Sequence, residues 1–321
     1  MFPYLDINDF EEDLFSMVRK TVSLNNANHL WSEMTNEELL VSARLRLKDA
    51  QTGKEGYTLA AALLFGKENT LASVLPHYKT DAICRKNSTD LYDDRYDIRC
   101  NLLRAYSRLL EFVHKHLPDR PYIEGTQRIS LRDKIFREVV ANLLVHREFS
   151  NAFPATMTIY KDIVVTENWN RPNIIGRVSL KNLKPFPKNP TISNFFRQLG
   201  WVEELGSGVR NMFKYCPIYV KGAYPVIDEG DIFKMTIRHE VVNNESVDVG
   251  FPLEKGQEKE ILTILKENPS ISIRNVAERQ KMSIKAVRII LDRLKREGVI
   301  VRVGADKGGS WQIIVGKRTD F

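Results

Sequence analysis

The chain has 321 residues, 43% of them apolar and 28% charged, enough to bury sizeable cores and to fold as two or three domains. No apolar run approaches the roughly 18 residues of a membrane span, and MFPYLDINDFEED opens with acid where a secretory signal carries basic residues. A membrane or secreted protein is therefore not expected, and a cytoplasmic one is. The net charge of +7 is unevenly placed: residues 257 to 318 hold 14 Lys and Arg against 7 Asp and Glu, and the rest of the chain holds 34 of each. A basic module on a neutral body is the pattern of a polyanion-binding attachment, because phosphate neutralisation is the sequence-independent part of nucleic-acid affinity. Cys84, Cys100 and Cys216 form neither a CxxC pair nor an even set, so reduced, buried thiols are expected. The six histidines lack an HxxxH spacing or a cysteine neighbour, and no metal site is read from them.

In chain order, residues 1–48 read as mostly helical. DFEEDLFSMVRK is amphipathic, and MTNEELLVSARL begins with Thr35 as N-cap and Glu38 three positions on, a capping box. QTGKEG is a turn, YTLAAALLFG is an apolar helix or strand ended by Gly66, and SVLPHYKTDAICRKN alternates as a strand does. A helix then runs from about Ile98 until Pro118 stops it, and another from roughly Leu131 to Glu148. ATMTIYKDIVVTEN reads as a hairpin turning at Lys161–Asp162. After a loop rich in proline and glycine, Asn189 and Pro190 open the helix TISNFFRQLG, which Gly200 closes. ELGSGVRNMFKYC is a glycine turn entering a helix, and DIFKMTIRH is the last strand of the body. EVVNNESVDVGFPLEKG is polar and patternless, a linker.

The C-terminal pattern is sharper. QEKEILTILKEN, SIRNVAERQK with Ser272 as cap, and MSIKAVRIILDRLKREG with Ser283 as cap are three helices, and VIVRV and WQIIV are two strands around GADKGGS. Three helices and a hairpin follow in the order of a winged helix-turn-helix. In the third helix Ile284, Val287, Leu291 and Leu294 form one apolar stripe, with Lys285, Arg288, Asp292 and Lys295 opposite. A helix inserted into a major groove presents long donors from the side its core does not use. The candidate DNA contacts are Arg274, Ser283, Lys285, Arg288, Lys295 and, at the wing tip, Lys307; a solvated basic face is the competing reading. Trp311 is read as core packing.

In REVVANLLVHREFS, Glu138, Asn142 and His146 recur every four residues and share one helix face. Together with LLFGKEN, FPKNPTISNFF and LGWVEELGSGVRNMF, this run gives the stretch from Tyr57 to Ile237 a resemblance to bacterial proteins known as putative transcriptional regulators or RecG-related ATP-dependent DNA helicases. Their central part resembles a divergent GHKL ATPase domain. The resemblance implies that Glu138 polarises an attacking water and that Asn142 holds the magnesium bridging the phosphates of ATP. Gly206, Ser207 and Gly208, a glycine turn before a helix with Arg210 beside it, would then offer N–H groups to phosphate. The sequence departs from the pattern after the strand IVVTEN, where neither the Asp nor the glycine pair of the GHKL adenine turn is present. Two readings of the stripe stand: a nucleotide site, or a helix face bonded to neighbouring loops, with His146 and Arg147 as satisfied structural polars. Gly53–Lys54 and Gly66–Lys67 are each followed by Glu and lack the earlier glycine of a phosphate-binding loop, so no helicase motor is expected. Members of the family often begin with an AlbA-like DNA-binding domain, and the resemblance places this chain's start just after where such a domain ends.

These readings combine into an α+β protein: an N-terminal helical segment at 1–50, a GHKL-like α/β sandwich body at 51–240, a linker at 241–256 and a winged helix-turn-helix at 257–317. The expected function is a DNA-binding transcriptional regulator whose body senses or dimerises and whose partners are double-stranded DNA and a second copy. The alternative is a GHKL-type ATPase acting with DNA, with ATP and magnesium as cofactors.

Overall fold

A computed structural model of the chain describes residues 1–241 except 89, 173–174, 181–182, 184–186 and 203–206. Of the remainder it describes 257–280, 282, 287–288, 290–291, 294, 299–303 and 310–313. The chain divides into two compact units, Met1–Val241 and Val242–Phe321.

In the first unit the N-terminal part is helical. Helix α1 (Glu12–Asn25) buries Leu14, Phe15, Val18 and Val22. Helix α2 (Asn36–Ser42) starts at the capping box read from the sequence: the Glu38 N–H donates to Thr35 Oγ1 at 3.3 Å and the Thr35 N–H to Glu38 Oε2 at 2.9 Å. Strands β1 (Arg46–Lys48) and β2 (Glu55–Tyr57) pair antiparallel across the QTGKEG turn. The ambiguous apolar run is a helix, α3 (Leu59–Phe65), because Thr58 caps it by accepting from the Ala61 N–H at 3.2 Å and all of Ala61 to Phe65 are buried. It stops at Gly66, where a Cβ would run into the Ala62 carbonyl, and α4 (Glu68–Val74) comes next. The Phe15 and Phe65 rings stack at 4.3 Å, so residues 1–50 share one core with the rest of the unit.

Next come β3 (Thr80–Arg85), β4 (Asp94–Ile98), α5 (Leu102–His116), β5 (Pro121–Glu124), β6 (Gln127–Ser130), α6 (Leu131–Val145), β7 (Ala155–Tyr160) and β8 (Ile163–Trp169). After them stand β9 (Gly176–Val178), α7 (Pro190–Gln198), α8 (Ser207–Tyr219), β10 (Val226–Glu229) and β11 (Ile232–Arg238). Seven of these strands form one mixed sheet in the order β4-β3-β7-β8-β11-β10-β9, with only β3 and β7 parallel. Helices α5 and α6 pack on the sheet, and α8 packs against α6. The β7–β8 hairpin turns at Lys161–Asp162 as its pattern predicts.

Two helix boundaries and a hairpin are among the differences from the sequence reading. Helix α5 begins at Leu102 rather than Ile98, because the Asn101 side chain caps it by accepting from the Arg104 N–H at 3.0 Å, and residues 94–98 extend as β4. Helix α6 ends at Val145 rather than Glu148. The hairpin β5–β6, turning at Gly125 with φ of +62°, has no counterpart in the sequence reading. Cys84, Cys100 and Cys216 are buried and unpaired, and burial pushes the Cys216 thiol up to about 12.

In the second unit α9 (Gln257–Glu267) precedes α10 (Ile273–Arg279), whose Asn275 N–H donates to the capping Ser272 hydroxyl at 3.2 Å. Strands β12 (Ile300–Val303) and β13 (Ser310–Ile313) pair antiparallel, with Arg302 opposite Trp311. One apolar core joins Ile261, Leu265, Val276, Val287, Leu291, Leu294, Ile300 and Trp311. Val287, Leu291 and Leu294 are buried as their spacing requires, Ile290 joins them, and Ile284 lies outside the described residues.

Candidate functional sites

On α6, Glu138 and Asn142 stand one turn apart, and the Asn142 amide donates to both the Glu138 carbonyl and its Oε1, each at 2.8 Å. The carboxylate of Glu138 also covers Gly208 in the first turn of α8: a Cβ there would fall on the carboxylate, with even the farther oxygen only 2.5 Å away. The lack of a side chain at 208 is what lets the Glu138 carboxylate from another helix lie this close. The structure brings Glu138, Asn142 and Gly208 together, with Ser207 opening the same helix; Arg210 is solvent-exposed, and Gly206 lies outside the described residues. A helix N-terminus attracts negative charge, and here a protein carboxylate already lies against it. An anionic phosphate would have to share that turn with Glu138, so these residues as arranged do not fit a magnesium triphosphate.

His146 follows α6 as its C-cap and is half-buried. Desolvation, helped by the nearby Lys188 ammonium, lowers its pKa to about 4, so the ring is neutral at physiological pH. Arg147 is a structural group. It is 1% exposed, donates to the Lys79 carbonyl at 2.7 Å and the Phe153 carbonyl at 3.3 Å, and stands 5.2 Å from the Tyr78 ring centre. Burial lowers its pKa, yet a guanidinium stays charged, which makes those carbonyls obligatory.

Sequence reasoning missed the polar neighbours of His146. Asn189, expected to cap α7, instead turns its amide to the carbonyls of Val145 and Arg147, both at 2.8 Å, tying the start of α7 to the end of α6. Lys188 pairs with Glu229 at 3.2 Å. Asn168 and Asn170 are buried on β8 and just beyond it; polar residues inside a strand were the available signal.

In the C-terminal unit, Arg274 on α10 is exposed and only loosely paired, at 3.5 Å, with Glu278. Arg288 is exposed, whereas its neighbours in sequence Val287 and Leu291 are buried. Ser283, Lys285, Lys295 and Lys307 lie outside the described residues. Cations that the sequence reading did not single out include Arg279, exposed at the end of α10, and Arg302 on β12, whose guanidinium lies 4.6 Å from the Trp311 ring centre. Trp311 is buried in the core, as expected, and its backbone N–H donates to the Pro269 carbonyl at 2.7 Å.

Residues 256–301 match a winged helix-turn-helix DNA-binding family, and residues 1–81 match a domain of unknown function (DUF8451). The chain therefore carries a winged helix-turn-helix DNA-binding domain behind a mixed α+β body. No curated protein matches the sequence. Among solved structures, the DIP2311 protein from Corynebacterium diphtheriae is similar in fold, with a TM-score of 0.56 and 19% identity over 97% of this chain. The chain spans 62% of that protein's length. Among the described residues no helix is long and apolar enough to cross a membrane, and no group of three or more His, Cys, Asp or Glu is placed to hold a metal ion.

Proposed function

We propose that the protein is a DNA-binding transcriptional regulator. Its winged helix reads an operator through Ser283, Lys285, Arg288 and Lys295, while Arg274 and the wing residue Lys307 meet phosphates. The body, residues 51–240, is the GHKL-like platform that senses a ligand or pairs with a second copy, and 241–256 is the tether. The observation that carries this reading is the match of residues 256–301 to a DNA-binding winged-helix family, in the segment that holds the chain's whole surplus of positive charge. ATP hydrolysis is the weaker reading, because the residue it needs as water activator, Glu138, lies instead against Gly208 and Asn142.

The test is a gel shift with the full chain against a library of promoter fragments from its own genome. Retention of a subset of fragments over bulk competitor DNA is expected. Equal, competitor-sensitive binding to every fragment would contradict operator recognition, and no retention at low salt would remove DNA binding altogether.

A further inference from the structure

Phe2, Leu59, Leu63 and Leu75, all within residues 1–81, line a cavity of about 480 Å³ together with Phe149 and Ile192. The cavity reaches the surface at Ser150 and Pro190, which are exposed. Bonds to distant parts of the chain fix its lining. The Arg147 guanidinium stands 5.5 Å from the Phe149 ring centre, and the His77 ring donates to the Phe149 carbonyl at 3.0 Å. The Asn189 amide holds the start of α7 to the carbonyls of Val145 and Arg147. Protein interiors are ordinarily filled to the density of an organic crystal, so an apolar space kept open by fixed walls is built for an occupant. Cavities of this volume, lined mainly by apolar side chains where two parts of a fold meet, are where small molecules are usually held.

The polar residues of the lining restrict the occupant. Glu148 Oε1 accepts from the Ser150 N–H at 3.1 Å and from its hydroxyl at 2.7 Å, and Glu148 Oε2 pairs with Arg171 at 3.1 Å. Lys188 pairs with Glu229 at 3.2 Å. These two pairs carry no net charge, so a charged end group would give up hydration and meet no unpaired opposite charge. An uncharged molecule escapes that cost and gains from every apolar surface it covers. A cavity of about 150 Å³ holds one benzene, so about three times that volume takes roughly ten to eighteen heavy atoms.

We propose that this cavity binds an uncharged, mainly apolar small molecule of roughly ten to eighteen heavy atoms. The segment that matches the domain of unknown function then has a task, since it supplies part of the binding wall. The proposal gives the sensing role of the body a ligand class and rests on that reading for its meaning, though binding itself is measured without DNA.

The experiment titrates the full chain into a trace of phenylnaphthylamine, a neutral dye that brightens on leaving water. A saturable rise with a Kd below about 200 μM is expected. Decanol should displace the dye, and decanoate and decylammonium should do so at least about tenfold less well. Ala60→Phe places a ring in the cavity from a half-buried lining position, and Ser150→Trp obstructs it from an exposed one; each should weaken dye binding at least about tenfold. Should the first fail to fold, the second, at a surface position, must give that loss alone. Absence of a saturable rise overturns the site, and so does a rise that the folded variants leave unchanged. Displacement by either charged chain as good as by decanol overturns the ligand class. DNA retention measured on the same samples fails or succeeds independently, so loss of one reading does not imply loss of the other.

Discussion

Substituting Gly208 by alanine tests the packing of α6 on α8. The new Cβ would overlap the Glu138 carboxylate, which is the mobile end of a side chain, so the backbone need not shift and the carboxylate swings away. What is then lost is its 2.8 Å charge-assisted bond from Asn142, about 1.5–3 kcal/mol, and its favourable position at the start of α8, about 0.3–1 kcal/mol. Alanine returns up to about 1 kcal/mol of helix propensity. The net loss is about 1–4 kcal/mol, or roughly 2–16 °C in Tm for a unit of this size. The sign should invert in a Glu138→Ala background, where no carboxylate remains to displace and G208A should stabilise by up to about 1 kcal/mol. Thermal and urea melts of the four proteins measure this. A G208A effect of the same sign and size in both backgrounds would refute the proposed contact.

Three further outcomes are expected. Arg147→Ala should destabilise by at least about 3 kcal/mol in urea denaturation, because it empties a buried site and orphans the Lys79 and Phe153 carbonyls; a loss below about 1 kcal/mol would contradict the structural role. His146 has its folded pKa lowered from 6.5 to about 4, so the unfolded chain takes up the proton first and the ring's contribution to stability falls as pH drops through that window. His146→Asn should therefore lose less stability than the parent between pH 7 and pH 4.5, by about 2 kcal/mol, and parallel pH profiles would refute this. Magnesium ATP should leave the Tm unchanged, whereas a saturable rise that Glu138→Ala alters would revive the nucleotide reading.

Much of the structure was legible in local sequence. The Thr35–Glu38 box, the Lys161–Asp162 hairpin and the buried Val287, Leu291 and Leu294 follow from short-range rules of capping and periodicity, which tertiary packing left intact. Spacing also put Glu138 and Asn142 on one face, and they bond to each other. The features that spacing did not reveal were set by partners distant in sequence. Asn189 has the residue type of a cap, yet the carbonyls exposed where α6 ends, 44 and 42 positions earlier, capture its amide. The crowding at Gly208 depends on a side chain from α6, and the cluster around His146 assembles from α6, β8, β10 and Lys188, none of which carries the pattern alone.

The measurement closest to the central claim is the salt dependence of DNA affinity, followed by fluorescence anisotropy with the full chain and a labelled duplex taken from the promoter screen. The account predicts that log K falls linearly with log salt, and that Arg288→Ala, at an exposed position of the third helix, lowers affinity. As a reader of base edges, Arg288 should cost about 1–3 kcal/mol on removal, with relaxed sequence preference. An affinity indifferent to salt, or unchanged by R288A, would contradict it.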